Sequence, residues 1–556
     1  MSTPRKTAKP ERVDVCIVGA GASGAMAAKV LTERGLRVVA LERGPWRRKE
    51  SFGGDELANI NRYNLWPDPI LNPRTVHDPR TGETRTELFC PVPQMVGGGT
   101  VHWQGWLPRF TPNDFRLHTV VGDLAGTTLT DWPITYDELE PFYTKVEWAF
   151  GVSGRGGANR FEGPRSKGYP CPPMPQSRYA EKFHRGCRAL GHNSFPTPMA
   201  ALSEPYGGRP ATAVSAFAQQ HGDPTGTRSS ALNVWVPDAL ATGRYDLRPD
   251  CYVREITVDA QGRAKSAIYE SADGTVHEQE ADTVILACGA VESARLMLLS
   301  TSGRFPRGLA NGSDLVGRNA TFHEFSAAVA TFDEPIHAWA GGGYVSASSF
   351  QFYEHDDARG FASGGHIAAT GVGIPLPINW SLPDRPAWGA AMKRVDRDHF
   401  DRSMAVGMVV HDMPQHDNRI ELDDTVTDAW GLPVAKVTLT PHENDLAMGR
   451  YLIDRNAEIM EAAGASSVQK VYIDRVTGNC SHQHGTARMG DDPASSVLDR
   501  WCAAHEVPNL YVVDGSSFPT ATGANPTLTI MANAWRVAER IVTSGVRRER
   551  RGAVSV

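Results

Sequence analysis

The chain has 556 residues, of which 41% are hydrophobic and 22% are charged. This composition is typical of a globular protein with two or more domains. The formal net charge of −6 provides no basic field for nucleic acid. The longest apolar runs stop well before membrane-spanning length, and the polar N-terminus lacks the apolar core of a secretory signal. We therefore expect a cytoplasmic protein with neither a membrane nor a nucleic-acid partner.

The first 45 residues predict a dinucleotide-binding unit. Residues 13–18 are mostly apolar and β-branched, as in a buried parallel strand, and they lead through Gly19, Gly21 and Gly24 into a helix-forming segment. In this context the glycines allow a tight turn, close approach of the backbone to a pyrophosphate and close helix packing. The helix N-terminus favours the anionic diphosphate. Glu42 follows the second predicted strand, where an acidic residue binds a ribose hydroxyl.

The middle of the chain alternates between helical, irregular and strand-like segments. We predict a helix over 134–150 and a surface loop over 151–175, because the second segment is rich in glycine and proline. Apolar patterns then predict strands at 233–236, 245–249, 253–258 and 283–289. Residues 330–470 carry further strand-like stretches, with aromatic residues clustered between Phe350 and Trp388. This region suits a sheet-based substrate domain.

The eight cysteines are scattered through the chain, without a Cys-x-x-Cys pair or a Cys/His spacing typical of zinc. Cys16 and Cys288 lie in predicted buried strands, where cysteine acts as a small hydrophobic residue. We interpret Cys480 and Cys502 as packing residues as well. The sequence therefore predicts free thiols, as is usual in a reducing compartment, and no metal.

The most informative stretch lies near the C-terminus. It has a His-x-x-Gly-Thr motif that begins at His482 and an Asn-Pro pair at Asn525, with a strand-like run at 509–515 between them. This layout resembles the C-terminal signature of the glucose-methanol-choline (GMC) family of flavin oxidoreductases. The resemblance implies hydride transfer from an alcohol carbon to FAD, with His482 as the catalytic base and Asn525 as its partner. A neutral imidazole is suited to accept a hydroxyl proton near neutral pH.

His484 is a second candidate for the base. In an extended segment His482 and His484 would share one face, so the pattern alone leaves both open. The resemblance assigns the role to the histidine three residues before Gly485, which is His482. His323 and Glu324 lie in a predicted strand, where they either face the substrate or make structural hydrogen bonds.

A second glycine run indicates which members of the family the chain resembles most. Residues 97–103 read Gly-Gly-Gly-Thr-Val-His-Trp, which is similar to a loop of pyranose oxidases and of gluconate and fructose dehydrogenase flavoproteins. In several of these relatives the histidine that matches His102 is bonded covalently to the flavin 8α-methyl group. The sequence leaves open whether His102 carries this bond or only lines the flavin edge. Gly98, Thr100 and Trp103 are expected at the FAD as well.

The resemblance places further residues at the cofactor. Val253 matches a position whose backbone contacts adenine, and Asp514 and Gly515 match a site near the ribityl chain or the pyrophosphate. Thr527 is expected near the flavin pyrimidine. Asn525 is expected to contact both the flavin and the substrate.

The implied fold class is α/β, with a Rossmann-like FAD-binding domain on a parallel sheet and a sheet-based α+β substrate domain, an architecture shared by GMC proteins and p-hydroxybenzoate hydroxylase. We predict that both domains are discontinuous. The predicted ranges are 10–130, 221–325 and 475–546 for the FAD-binding domain, 131–220 and 326–474 for the substrate-binding domain, and 1–9 and 547–556 for flexible tails.

The predicted reaction is oxidation of a secondary alcohol of a sugar, at C2 or C3 of a glucopyranose or of a glycoside, with oxygen reduced to hydrogen peroxide. An Asn at position 525, where many other GMC branches have His, favours this branch, which resembles pyranose oxidases and glycoside 3-oxidases. The alternative is a dehydrogenase similar to gluconate 2-dehydrogenase, which passes electrons to a quinone or a cytochrome. A third possibility is a flavin-holding scaffold without turnover. Because the chain is shorter than fungal pyranose oxidases, we expect a monomer rather than a large oligomer.

Overall fold

The computed structural model describes residues 11–53, 67–213, 221–324, 326–338, 340, 346–371, 385–472 and 480–552. Part of the aromatic cluster that the sequence predicts before Trp388 therefore lies outside the described residues. The strands, in chain order, are β1 (Val13–Val18), β2 (Val38–Leu41), β3 (Arg74–Asp78), β4 (Glu83–Glu87), β5 (Phe195–Pro196), β6 (Tyr245–Arg248), β7 (Cys251–Val258), β8 (Ala264–Ser271), β9 (Val276–Leu286), β10 (Thr321–Glu324), β11 (Ala327–Thr331), β12 (Ala347–Ser349), β13 (Gly365–Gly371), β14 (Ser403–Val410), β15 (Arg419–Thr427), β16 (Pro433–Thr438), β17 (Ser467–Val471), β18 (Cys480–His484) and β19 (Leu510–Val512). The α-helices are α1 (Ala22–Glu33), α2 (Leu117–Val121), α3 (Tyr136–Phe150), α4 (Arg178–Ala189), α5 (Trp235–Ala241), α6 (Ala290–Leu299), α7 (Gly389–Phe400), α8 (Glu443–Ala462) and α9 (Thr527–Gly552).

The cofactor sheet is built on the predicted N-terminal βαβ unit. Strands β1 and β2 pair in parallel, with Val15 opposite Val38, and α1 connects them. The parallel order among the described strands is β6–β2–β1–β9–β19. The second half of β9 pairs with β1, whereas its first half pairs antiparallel with β8, which in turn pairs with β7. The apolar residues of β1 from Val15 onward and all residues of β2 are buried, as expected for central strands covered on both faces.

Most of the predicted elements in this region are confirmed. The strands predicted at 245–249, 253–258 and 283–289 correspond to β6, β7 and the end of β9. The helix predicted at 134–150 is α3, and its N-terminus is capped by Thr135, whose hydroxyl accepts a hydrogen bond from the backbone N–H of Glu138.

The strand predicted at 233–236 is wrong. This segment leads into helix α5, whose first turn contains Pro237 and Asp238. Proline fits a first helical turn because its missing N–H would have no partner there, and an acidic side chain is stabilised at a helix N-terminus. The apolar pattern reflects the burial of Trp235 and Val236 at the helix start.

The substrate-side sheet is antiparallel, with the order β17–β11–β14–β13–β12–β5. Helices α4 and α8 pack on one of its faces. Along β13, Ile367 and Ala369 belong to the hydrophobic core beneath these helices. Because side chains alternate along a strand, His366 lies on the opposite face. That face turns toward the candidate site.

A short ladder between β10 and β18 joins residues that are distant in sequence. Thr321 lies opposite His484, and His323 lies opposite Ser481, with a register irregularity between the two pairs. The ladder places His323 next to His482, although the chain separates them by more than a hundred residues.

A further sheet, with the order β15–β16–β3–β4, is fastened to α6 by ion pairs. Arg74 donates to Glu292 at 2.8 Å, and Arg295 donates to Asp428 at 2.6 Å. Burial alone would raise the pKa of the Glu292 carboxyl. The neighbouring guanidinium groups of Arg43, Arg74 and Arg295 outweigh this effect and lower the pKa. Each buried charge in this cluster therefore has a partner.

The parallel cofactor sheet and the antiparallel substrate-side sheet confirm the predicted fold class. Helix α9 starts at Thr527 and extends to Gly552, so it includes residues that the sequence assigns to a flexible tail. Within the described ranges, no helix is both long and apolar enough to cross a membrane. Cys16 and Cys288 are free thiols, and burial raises the pKa of each to about 12.

Candidate active site

The first glycine turn is shaped by close backbone packing. Gly19 has φ +97°, and a Cβ at this position would lie 2.5 Å from the carbonyl oxygen of Ala287. A Cβ at Gly24 would overlap the carbonyl oxygen of Gly19. Only glycine therefore allows α1 to begin this close to β1 and to the end of β9.

The second glycine run lies against the first. The backbone N–H of Gly97 donates to the carbonyl of Ala20 at 2.9 Å, and Gly98 starts a 3-10 turn that ends at Val101. A Cβ on Gly98 would lie 3.0 Å from the Cα of Gly21. Two stretches of side-chain-free backbone thus face each other at the N-terminus of α1, which suits the diphosphate of a dinucleotide.

Thr100 and Glu42 hold these two loops in place. The hydroxyl of Thr100 donates to the carbonyl of Gly97 at 2.7 Å and accepts from the N–H of Ala231 at 2.9 Å. The carboxylate of Glu42 accepts from the N–H of Ala20 at 2.8 Å, at the end of β2 where the ribose is expected. Burial raises the pKa of Glu42.

His102 and Trp103 follow the 3-10 turn directly. His102 is buried, and its ring meets that of Phe52 edge to face with centroids 5.5 Å apart. The indole N–H of Trp103 is buried and has no hydrogen-bond partner among the described residues. Both side chains belong to the loop that lies against the first glycine turn, so they lie beside the predicted cofactor cradle.

Asp514 joins the cofactor sheet to the segment that carries the histidines. Its carboxylate accepts from the N–H of Gly289 at 2.9 Å, from the hydroxyl of Ser293 at 2.6 Å and from the N–H of Ser516 at 2.9 Å. The carbonyl of Gly515 accepts from the N–H of Gly485 at 3.1 Å. The carboxylate thus organises the protein's own backbone at the start of α6.

Two other residues that the resemblance assigns to the cofactor lie in regular elements. Val253 is buried in β7 opposite Tyr269, and Thr527 is the first residue of α9. Their contacts with a cofactor stay predictions.

His482 lies between two polar partners. Its Nε2 is 3.3 Å from Nδ2 of Asn525, and its Nδ1 is 2.8 Å from Nδ1 of His323. The backbone φ of His482 is +58°, in a left-handed region that non-glycine residues seldom occupy and that recurs at functional sites. Burial lowers the pKa of His482 to about 4, so its imidazole is neutral at pH 7. The side chain therefore has the protonation state that a base requires.

His484 has different surroundings, although it lies only two residues further along β18. Its ring stacks on Phe518 with centroids 5.7 Å apart and an interplanar angle of 13°. Burial lowers its pKa well below the usual value. Within the described part of the chain, neither of its ring nitrogens has a hydrogen-bond partner. The structure thus places Asn525 beside His482, and an aromatic ring beside His484.

His366 is near the site but belongs to no motif that the sequence analysis singles out. Its pKa is lowered to about 3 by burial and by the proximity of His482. Its Nε2 is 2.8 Å from the hydroxyl of Ser348, and its backbone N–H donates to the carbonyl of Gly523, two residues before Asn525. The period-2 alternation of β13 is the signal that could have identified it, because its neighbours face the core.

Aromatic rings flank His366. The ring centroid of Phe350 is 5.0 Å away and that of Trp106 is 6.0 Å away. The Nδ1 of His366 is buried and has no hydrogen-bond partner in the described ranges. A polar atom between two aromatic rings is suited to bind a hydroxyl group of a ligand that also has apolar faces.

A buried pair of Asp114 and His411 lies near Gly523, where a Cβ would be 2.9 Å from the His411 ring. The Nε2 of His411 is 3.4 Å from a carboxylate oxygen of Asp114, and the hydroxyl of Tyr353 donates to the other oxygen at 2.8 Å. Burial raises the pKa of Asp114 to about 8 and lowers that of His411 to about 3. No short motif connects these residues in the sequence, so only the fold reveals the pair.

Comparison with known proteins agrees with this arrangement. The family model described as GMC oxidoreductase matches residues 127–325 with its N-terminal part and 414–534 with its C-terminal part. A model described as FAD binding domain matches residues 12–54. The three matches include the first glycine turn, β10 and the segment with His482 and Asn525.

Three relatives align with almost the whole chain. The 2-methyl-1,2-propanediol dehydrogenase of Mycolicibacterium austroafricanum is 33% identical over 96% of both chains. The paromamine 6'-oxidase of Streptomyces fradiae is 33% identical over 95% of this chain and 91% of its own. The C-glycoside 3-oxidase of Arthrobacter globiformis is 34% identical over 96% of this chain and 95% of its own. The chain therefore belongs to the GMC oxidoreductase family, whose members oxidise alcohols, and it carries an FAD-binding domain.

Proposed function

We propose that the protein oxidises a secondary alcohol of a sugar, at C2 or C3 of a glucopyranose or of a glycoside, to the keto sugar. The observation that carries the proposal is the pair formed by His482 and Asn525, at 3.3 Å, in a GMC protein with a glycine cradle for FAD. The substrate hydroxyl would bind within hydrogen-bond distance of both side chains.

Bound FAD would supply the hydride acceptor at flavin N5, and in the proposed oxidase oxygen would take up both electrons as hydrogen peroxide. The cradle of Gly19, Gly21, Gly24 and Gly98 fits the diphosphate, because side chains there would fill the space between the loops. Glu42, Thr100, Trp103, Val253, Asp514, Gly515 and Thr527 are the other residues that we propose hold the cofactor. The identity of the electron acceptor is part of the proposal.

His482 would take the hydroxyl proton of the substrate as the C–H bond gives up its hydride. The imidazole is neutral because burial holds its pKa near 4, and Nε2 is the nitrogen that faces Asn525. Within the described residues the Oδ1 of Asn525 is buried without a partner, so this amide can accept a hydrogen bond as well as donate one. Asn525 would thereby orient the hydroxyl, and the proton would leave on His482.

Several features support a sugar as the substrate. His366, with Phe350 and Trp106 around it, offers a polar atom between rings, which suits the mixed polar and apolar faces of a pyranose. One of the relatives is a C-glycoside 3-oxidase and another is an oxidase of paromamine at position 6'. The choice of C2 or C3 rather than a primary alcohol rests on the resemblance of residues 97–103 to pyranose oxidases.

His102 has two proposed roles, a covalent bond to the flavin or a contact with the flavin edge. The buried ring beside Phe52 is compatible with both. Acid precipitation of the purified protein separates them, because a covalent flavin stays with the pellet, whereas a non-covalent one is released to the supernatant.

The second candidate function is a dehydrogenase that passes electrons to a quinone or a cytochrome. It is favoured by the relative that is a 2-methyl-1,2-propanediol dehydrogenase. The expected monomeric state and cytoplasmic location are further proposals, which light scattering and cell fractionation would check.

The experiment that tests the proposal is to mix the purified holoprotein anaerobically with glucose, a glucoside and gluconate in turn, and then to admit air. Bleaching of the flavin by a sugar with rapid recovery in air is the result we expect from a sugar oxidase. Bleaching with slow recovery would favour the dehydrogenase. If none of the three compounds bleaches the flavin, the sugar assignment is wrong.

A further inference from the structure

His323 is the nearest polar neighbour of the proposed base on the side away from Asn525. It lies on β10, its ring is fully buried, and its Nδ1 is 2.8 Å from Nδ1 of His482. The two rings are nearly perpendicular, with centroids 4.9 Å apart and an interplanar angle of 79°. This geometry permits one strong hydrogen bond between the two nitrogens.

The direction of that hydrogen bond follows from Asn525, the third side chain in the hydrogen-bonded series. The Nδ2 of Asn525 is an amide nitrogen, which can donate but cannot accept, so the Nε2 that it meets on His482 is a lone-pair acceptor. A neutral His482 then has its proton on Nδ1 and donates it to Nδ1 of His323. His323, in turn, has its own proton on Nε2.

We propose that His323 is a positioning residue, which holds His482 in the tautomer whose Nε2 lone pair faces the substrate. This inference rests on the proposed role of His482 as the base. An acceptor at this point is needed because the other tautomer of His482 would present an N–H to the substrate hydroxyl, and an N–H cannot take a proton.

The backbone conformation at His482 is a second reason why its ring needs a partner from another strand. His482 has φ +58° and lies next to a register irregularity between Thr321 and His323, so the strand geometry alone does not fix the ring. The described histidine rings near His323 are neutral, so none of them competes with His482 as a charged donor to His323. His484, with its ring centroid 5.2 Å from that of His323, and His411 both have pKa values lowered by burial, as does His323 itself.

Two substitutions separate positioning from packing. His323→Asn keeps an acceptor oxygen near the place of Nδ1, whereas His323→Leu keeps a comparable volume without an acceptor. We expect His323→Leu to slow anaerobic flavin reduction at saturating sugar by roughly 100-fold, within the usual contribution of a general base, and His323→Asn to recover at least a tenth of the wild-type rate. The flavin absorbance per protein should stay unchanged in both. Equal rates in the Leu variant and the wild type would overturn the proposal.

A second measurement does not depend on turnover. In holoprotein labelled with 15N-histidine, the ring signals of His482 are those that disappear in His482→Gln. We expect these signals to show the proton on Nδ1 in the wild type and in His323→Asn. A proton on Nε2 in the wild type would contradict the proposal, even if His323→Leu does not fold. If no sugar reduces the flavin but the proton is on Nδ1, the proposed reaction fails while the positioning role of His323 stands.

Discussion

The two sides of the candidate site are built from different parts of the polypeptide. On the cofactor side the surface is backbone, because glycines at 19, 21, 24 and 98 bring two loops together. On the substrate side it is formed by imidazole and amide groups from separate segments, with His323, His366 and His482 among them. FAD binding should therefore be sensitive to any side-chain atom added at these glycines. Reaction with the substrate should instead be sensitive to the loss of a particular ring nitrogen.

The largest effect is expected from Gly24→Ala. A Cβ at Gly24 would overlap the carbonyl oxygen of Gly19, which is backbone and cannot move aside without opening the turn. We expect this variant to lose FAD or to fail to accumulate as folded protein, as judged by flavin absorbance per protein. Gly303→Ala is the matched control, because a Cβ there meets nothing within 4 Å, and it should bind FAD normally. Normal FAD content in Gly24→Ala would show that the turn is not as tight as described.

On the substrate side the largest effect is expected from His482→Ala. The variant should keep FAD but reduce it with sugar roughly 10²- to 10⁴-fold more slowly in anaerobic stopped flow, since the proposed base is absent. His484→Phe is the comparison variant, because a phenyl ring retains the stacking on Phe518. Its rate should fall by less than about 10-fold, because the packing is retained and only the ring nitrogens are lost. The reverse ranking of the two variants would move the base to His484.

A smaller effect is expected from His366→Phe, which retains a ring between Phe350 and Trp106 but removes Nδ1. If this nitrogen binds a substrate hydroxyl, the KM for the sugar should rise by roughly 3- to 10-fold, the value of one neutral hydrogen bond. The kcat should change little, because the interaction exists before and during the reaction. A large fall in kcat at constant KM would place His366 in the chemistry instead of in recognition.

A further prediction concerns stability in acid. The folded-state pKa values of His482, His366 and His411 lie at about 4, 3 and 3, below the ordinary value near 6.5 that applies in the unfolded chain. Below pH 6.5 the unfolded chain thus binds protons that the folded protein does not, so stability is complete above pH 6.5 and is lost as the pH falls toward 4. Each histidine should contribute about 2 kcal/mol of this loss at pH 5, from about 1.4 kcal/mol per unit of pKa difference.

These histidines should therefore lower the apparent melting temperature of the wild type between pH 7.5 and pH 5, whereas Asp114, whose pKa burial raises to about 8, acts in the opposite direction. His411→Leu removes one of these groups at the Asp114 pair, and the drop should be smaller in this variant. An identical drop in the variant would mean that His411 is already charged in the folded protein. Gly303→Ala, outside the site, should behave as the wild type.

The cofactor side could be predicted from the sequence because its information is local. The first strand, the glycine turn, the helix and the second strand all lie between positions 13 and 42, so their order can be recognised from adjacent residues alone. The pairing of His482 with Asn525 was accessible only through the resemblance to a family, since no local rule brings these positions to 3.3 Å. The residue spacing alone did not distinguish His482 from His484.

The contacts that the sequence did not predict depend on strand register and on how distant segments of the chain meet in the fold. The contact between His323 and His482 needs the pairing of two short strands with an irregular register, which no periodicity indicates. The positive φ of His482 was not predicted either, and the rings of His482 and His484 lie 4.9 Å and 5.2 Å from that of His323. His366 could have been predicted, because Ile367 and Ala369 of the same strand lie in the core and indicate that His366 points the other way. The pair of Asp114 and His411 could not have been predicted.

We propose that a secondary carbon of a sugar gives up its hydride next to His482. The most direct test is anaerobic stopped-flow reduction of the flavin by a glucoside carrying deuterium at C2, at C3 or at C6 in turn. We predict a several-fold slower reduction with deuterium at C2 or at C3 and no change with deuterium at C6. Slowing only with deuterium at C6 would show a primary alcohol as the hydride donor and would contradict the account.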